Sequence, residues 1–274
     1  MYSRAYVEIT NVCNMACSFC HGHSRTPGRM SREAFSLILD RLAGHTQYIY
    51  YHLMGEPLTH PELPEFIAMA TSRGFKSVLT TNGTLLKKRS SELLAAGPHK
   101  ISISLHNFEK GGPEAHRKYL AETAEFADAA SKMGTIVVFR LWNRGADEGR
   151  NAETLDILRS LLPGDWKENS RGLRIRDRLY LEWGDRFQWP DREAEDRGPE
   201  VFCYGLKDHF GVLCDGTVVP CCLDSDGVIE LGNLLRQPLE EILNSPRAKA
   251  VAEGFQRRHA TEELCRRCGY ARRF

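Results

Sequence analysis

Short apolar runs alternate with amphipathic stretches along most of this chain. The runs Ala5 to Thr10, Tyr48 to Met54, Ser77 to Thr81, Lys100 to Leu105, Thr135 to Leu141 and about Arg178 to Trp183 are rich in β-branched and aromatic residues. Their length and composition predict buried parallel strands. Between them the apolar spacing turns helical. Ser31 is placed to cap a helix over Arg32 to Ala43 that stops at Gly44, and further helices are predicted over Glu62 to Ser72, Lys87 to Ala96, Glu114 to Met133 and Asn151 to Leu162, each followed by Gly or Pro. Repeated βα units with short connections build a parallel sheet with right-handed crossovers. Six such units predict an α/β fold, an open partial (β/α)6 TIM-like barrel.

The last third breaks this rhythm. Gly211 to Cys222 reads as a hairpin turning at Asp215-Gly216, followed by Gly232-Asn233 and a helix near Leu239 to Leu243. The predicted division is therefore a barrel over 1–195 and a small extension over 196–274. The chain has no internal sequence repeat and no low-complexity linker.

Composition narrows the function classes. In 274 residues, 37 basic side chains against 36 acidic ones leave a formal charge of +1, so no global field recruits nucleic acid or a membrane. No stretch approaches the roughly 18 apolar residues of a span, and no signal-peptide apolar region follows Met1. The expectation is a cytoplasmic protein without membrane partners. Nine cysteines in such a chain point to metal or redox chemistry rather than a disulfide framework.

Cys13-x3-Cys17-x2-Cys20, just beyond the first predicted strand, carries the most chemical information. A four-iron cubane needs four ligands, so three thiolates leave one iron open to something that is not protein. A zinc site is the competing reading, with His21 and His23 available to complete its four ligands. The run from Glu8 to Cys20 resembles the signature of the radical S-adenosylmethionine (SAM) superfamily. That resemblance implies that the open iron chelates SAM and that one electron from the cluster cleaves it to a 5'-deoxyadenosyl radical, with Phe19 beside the adenine. It also implies an electron donor such as flavodoxin or ferredoxin.

Barrel chemistry sits at the carboxyl ends of strands, where further motifs fall. Met54-Gly55-Glu56-Pro57 resembles the family's Gly-Gly-Glu-Pro motif, which implies carbonyls and Glu56 receiving the ammonium of SAM; an ordinary Gly-Pro turn is the plain alternative. Asn82, in Thr80-Thr81-Asn82-Gly83, closes the third strand and is counted among the SAM contacts, although Asn-Gly is also a common turn pair. Ser104 stands where relatives place a hydroxyl against the ribose or carboxylate of SAM, with His106 nearby. Arg140, a cation inside an apolar run, must be paired, either with the SAM carboxylate or with a protein carboxylate.

Cys203, Cys214, Cys221, Cys222, Cys265 and Cys268 lie in the last third. The hairpin, the Gly-Asn pair and the closing C-x2-C are similar to the SPASM and twitch extensions of radical SAM enzymes. The resemblance implies one auxiliary four-iron cluster, with Cys203, Cys221, Cys265 and Cys268 as its ligands by position. Two fully ligated auxiliary clusters would demand more cysteines than the chain has, which favours the twitch-like arrangement. Cys214 and Cys222 are then packing residues, with Cys222 as an alternative to Cys221.

A fully ligated auxiliary cluster argues for electron transfer. The expected activity is hydrogen abstraction from a small molecule or a peptide side chain, completed as a two-electron oxidation, and no acid or base is assigned. Tyr50, His52, His106, Trp142, Glu182 and Trp183 are candidates to line the substrate space, with Arg144, Asp147, Glu148, Arg150 and the 182–186 stretch beside it. A second functional class rests on the arginines and aromatics around Cys265 and Cys268, which read alternatively as a zinc or iron-sulfur module that binds or modifies RNA. The balanced charge gives that reading no support.

Overall fold

The computed structural model describes residues 1–108, 111–147 and 149–273. Six strands form the parallel heart of a single sheet: β1 (Arg4–Val7), β2 (Tyr48–Tyr50), β3 (Lys76–Thr81), β4 (Lys100–Ser104), β5 (Ile136–Arg144) and β8 (Leu179–Asp185). Each pairs in parallel with the next, as the alternating sequence pattern predicts. Five helices cross between or follow the first strands: α1 (Arg32–Leu42), α2 (Leu63–Ser72), α3 (Leu86–Ala96), α4 (Pro113–Lys132) and α5 (Arg150–Leu161). Ser31 caps α1 by accepting from the Ala34 amide at 3.2 Å, and Gly97 ends α3 in the left-handed region.

The sixth unit departs from the pattern. Between α5 and β8 the chain inserts the antiparallel strands β6 (Lys167–Asn169) and β7 (Gly172–Arg176), which extend that edge. No helix follows β8 among the described residues before β9 (His209–Val212). β9 pairs in parallel with β1 and turns into the antiparallel β10 (Thr217–Val219), which pairs with β11 (Gly232–Asn233). The C-terminal hairpin thus continues the barrel sheet. Beyond it lie α6 (Leu239–Leu243), α7 (Pro246–Gln256) and α8 (Glu263–Arg266).

The strands differ on their two faces. Ala5, Val7, Ile49, Leu79, Ile101, Ile103, Val137, Phe139, Leu179 and Leu181 are buried, in one apolar core with Phe35, Phe66, Leu120 and Leu158 of the helices. The alternate positions Arg4, Tyr6, Tyr50, Thr80, Lys100, Ser104, Arg140, Trp142 and Glu182 face a cavity of about 830 Å³. Side chains alternate across a strand, so the barrel has an apolar outside under the helices and a polar lumen. Reading these strands as buried apolar runs missed the second face.

Candidate active site

The first cysteine loop leaves the end of β1 and returns at Met30, whose amide bonds the Ile9 carbonyl at 2.8 Å. Asn11 ties its neck, donating to the Thr26 carbonyl at 3.0 Å and accepting from the Gly28 amide at 2.7 Å. Cys13 and Cys20 are exposed and Cys17 is half-buried. None of the nine cysteines forms a disulfide among the described residues.

Gly55 buttresses this loop. Its φ of +74° and a Cβ that would come within 2.8 Å of the Asn11 carbonyl carbon make it a position for glycine. The close approach it permits is therefore to the protein's own chain. Next to it the Glu56 amide bonds the Val12 carbonyl at 2.9 Å. The Glu56 carboxylate is buried and accepts from Thr81 Oγ1 at 2.7 Å, the Asn82 amide at 2.6 Å and the Leu58 amide at 3.0 Å. Burial pushes its acid up to about 7 while these three donors oppose that rise. Pro57 opens the short helical turn that follows.

The ends of β3 and β4 meet the same loop. Asn82 donates to Asn14 Oδ1 at 2.9 Å. Asn107, a residue the sequence reading passed over, donates to the Asn82 carbonyl at 3.1 Å, and its own carbonyl lies 3.9 Å from Cys17 Sγ. Its Oδ1 is buried without a partner among the described residues. The Phe19 ring tilts against His106 with centroids 5.0 Å apart, and Ser104 lines the cavity beside them. Trp189, also unanticipated, donates from Nε1 to the Phe19 carbonyl at 3.1 Å and stacks on His21. His23 points Nε2 at the Asn11 carbonyl, 2.9 Å away. The two histidines offered as zinc ligands are thus engaged by Trp189 and by the Asn11 carbonyl.

Cys203, Cys221, Cys222, Cys265 and Cys268 gather on the other side of the cavity. Burial raises Cys221 well above the ordinary thiol range, and Cys203, Cys222, Cys265 and Cys268 add to it in turn. Cys222 is pushed up to about 11 by burial, with a hydrogen bond from Tyr6 opposing. Cys222 thus meets both the lumen tyrosine and the cysteine group. Cys214 stands apart, 3.9 Å from Arg25 Nη1.

Of the expected lumen residues, Tyr50, His52, His106, Trp142 and Glu182 line the cavity. Trp183 instead packs against the core. Arg144 pairs with Asp185 at 3.0 Å at the rim, and Glu148 falls outside the described residues. Arg140 donates to Thr80 Oγ1 at 3.3 Å and lies over the Trp142 ring at 4.5 Å. The tail arginines are engaged within the fold: Arg266 with Asp196, Arg267 with Glu263, and Arg273 with Asp185. No helix is long and apolar enough to cross a membrane among the described residues.

A thiol triplet on a strand-end loop, braced by the Gly55-Glu56 turn and opening on a barrel lumen, is matched by the family model described as the radical SAM superfamily over residues 7–144. The chain belongs to the radical SAM superfamily. Residues 203–269 match SPASM, an iron-sulfur cluster-binding domain. The AdoMet-dependent heme synthase of Methanosarcina barkeri is 33% identical over 96% of this chain and 86% of its own length. A probable GTP 3',8-cyclase of Sulfolobus acidocaldarius is 34% identical over 84% of each. The sporulation killing factor maturation protein SkfB of Bacillus subtilis is 25% identical over 86% of this chain and 63% of its own.

Solved structures share the fold. BtrN in complex with AdoMet and 2-DOIA aligns with a TM-score of 0.59 at 19% identity, covering 98% of this chain and 93% of that one. SuiB of Streptococcus suis bound to S-adenosylmethionine gives 0.65 at 15% identity, covering 97% and 72%. This radical SAM enzyme therefore carries a four-iron SAM cluster, SAM itself and an auxiliary cluster. The donor set fits them: the chain carries two separate cysteine groups, one on the loop whose Ser18 and Phe19 line the cavity and one, with Cys203, Cys221, Cys265 and Cys268, lining it directly.

Proposed function

We propose that the protein oxidises a small molecule or a peptide side chain by two electrons, the second electron leaving through the auxiliary cluster. The observation that carries this reading is the continuity of the cavity. Ser18 and Phe19 of the first cysteine loop and Cys203, Cys221, Cys265 and Cys268 all line the same space of about 830 Å³. When bound, the two clusters and SAM supply the radical that removes a hydrogen atom and the acceptor for the remaining electron. The chain positions the C–H bond and keeps water out, with Tyr50, Trp142 and Glu182 from three strands around the substrate.

In this reading Cys13, Cys17 and Cys20 hold the SAM cluster, and Cys203, Cys221, Cys265 and Cys268 hold the auxiliary one. Phe19, Gly55, Glu56, Pro57, Asn82 and Ser104 shape the SAM site. Gly55 and Glu56 act there by fixing the loop, since the Glu56 oxygens already accept from three protein donors. The barrel, 1–195, and the extension, 196–274, divide the work, and an external donor such as flavodoxin or ferredoxin delivers the first electron to a cytoplasmic enzyme. Relatives named for heme synthesis, peptide maturation and GTP cyclisation support the class without fixing the substrate.

Anaerobic incubation with SAM, dithionite and libraries of alcohols and peptides tests the proposal. Deoxyadenosine carrying deuterium from a labelled substrate, with product two electrons more oxidised, is expected. Deuterium transfer with a redox-neutral product would remove the oxidative assignment and leave the radical SAM chemistry standing.

A further inference from the structure

The lumen holds more positive charge than its own side chains balance. Arg4 is paired with Asp208. Arg140 faces Glu182 across the β5–β8 register without an ion pair between them. Its one hydrogen bond among the described residues is the long contact to Thr80, and Nε is buried with no partner. Lys100, which begins β4, lines the same cavity and makes no ion pair among the described residues. Burial pulls the Lys100 ammonium down from its ordinary range, Glu182 draws it back up, and Arg140 opposes. Lys100, Arg140 and Arg171, which lines the same cavity and also opposes the Lys100 charge, thus lie about the one carboxylate of Glu182.

An uncompensated buried charge is costly, and a charged ligand that completes the pairing removes that cost. We infer that Arg140 and Lys100, with Thr80, form an anion-binding subsite in the lumen that takes a carboxylate or phosphate group of the substrate. Trp142 covers one face of the guanidinium and leaves its N–H edge for an in-plane oxyanion, the geometry for which arginine is suited. Its placement supports a substrate ligand over the SAM carboxylate: Arg140 stands opposite Glu182 in the β5–β8 register and bonds Thr80 of β3, both groups of the lumen rather than of the first cysteine loop. This inference rests on the proposed function, because it assigns the lumen to substrate.

Calorimetry on anaerobically reconstituted protein saturated with SAM tests it, with phosphate, malonate and uncharged malonamide as probes. Phosphate or malonate is expected to bind and malonamide not to, the stronger of the two anions indicating the group recognised. Arg140→Gln and Lys100→Met should each weaken the anion roughly tenfold or more, as loss of a charge-assisted contact does. The comparison of charged and uncharged probes on the unaltered chain needs no variant to fold. Equal binding of malonate and malonamide, or full anion affinity in both folded variants, would overturn the subsite. Loss of SAM binding in Arg140→Gln, with no anion binding to the SAM-saturated parent, would return Arg140 to the SAM site and equally overturn it. Failure of the parent to bind SAM at all would instead sink the proposed function.

Discussion

The two cysteine groups differ in how the fold holds them. Cys13, Cys17 and Cys20 ride a loop without regular structure, two of them exposed, and the loop keeps its shape through Asn11, Gly55 and Asn82 on neighbouring strand ends. Cys203, Cys265 and Cys268 pack against the main apolar core, and Cys221 joins them at the end of a hairpin strand. A site that must admit SAM needs open thiols on a braced loop. On the proposed reading the auxiliary site only accepts electrons and can be closed, and burial keeps it from solvent and oxidants.

Removing one group at a time gives the largest expected effect. With Cys13, Cys17 and Cys20 all replaced by alanine, reductive SAM cleavage should disappear, and bound iron should fall from about eight to about four atoms, one cubane of two. Chromatographic deoxyadenosine and an iron assay read this directly. Residual cleavage at the parental rate would place the SAM cluster elsewhere.

Replacing Cys265 and Cys268 should also halve the iron, yet spare slow SAM cleavage while product formation stops. The closed group contributes folding energy when loaded, so circular dichroism must precede the assay. The neighbours Cys221 and Cys222 sharpen the contrast: Cys221→Ala should lose auxiliary iron, and Cys222→Ala, whose thiol meets Tyr6, should keep it. The reverse result would exchange the two roles. Product at the parental rate from the folded double variant would remove the electron-accepting role.

Between the groups stands a buried ion pair. Arg25 of the first loop forks onto Glu8 at 2.8 Å through each of two nitrogens, and Glu8, 0% exposed, also accepts from the Met54 amide at 3.1 Å and the Cys214 amide at 3.2 Å. Arg25 Nε reaches the Ser225 carbonyl at 2.7 Å. One carboxylate therefore joins the first loop, the turn before Gly55 and the C-terminal hairpin. Breaking such a pair costs about 3–5 kcal/mol because a buried charge is left alone. Glu8→Gln should lower the unfolding free energy read from urea titration by an amount in that range, and Arg25→Met by a similar one. A double variant no worse than either single would measure their coupling. Additive losses would deny that the pair acts as one joint.

Legibility followed the kind of signal each feature leaves. The six parallel strands and five helices stood out because burial under helices enforces an apolar period, as at Ile101, Ile103, Val137 and Phe139. The cysteine loop was legible from spacing alone. What escaped were contacts between distant segments: Trp189 on the Phe19 carbonyl, Asn107 beside Cys17, and Glu8 with Arg25. None of these pairs has a local pattern. Lys100 and Tyr6 escaped for a different reason, since a polar lumen face interleaved with an apolar core face reads in sequence as an ordinary strand edge. The hairpin β6–β7 was missed because Lys167–Asn169 is exposed throughout.

The smallest effect concerns His52, which lines the lumen. Burial, reinforced by the positive charge of Arg140, lowers its imidazolium to about 3, and Nδ1 is buried without a partner among the described residues. The rings packed on it are Tyr6 from β1 and Tyr50 from β2, with centroids 5.5 and 6.0 Å away. Its folded value is depressed, so the folded state refuses a proton that the unfolded chain takes up near pH 6.5. Stability should therefore fall as pH drops below about 6.5, and at pH 5 His52 alone accounts for a loss of about 1–2 kcal/mol. The imidazole carbon resonance of His52 should stay at its neutral position from pH 8 to 5.5. His52→Gln should flatten the corresponding limb of the urea midpoint against pH, because glutamine removes the only proton in question. A His52 resonance that titrates near 6.5 would mean that water reaches the ring and that the lumen is wetter than its packing implies.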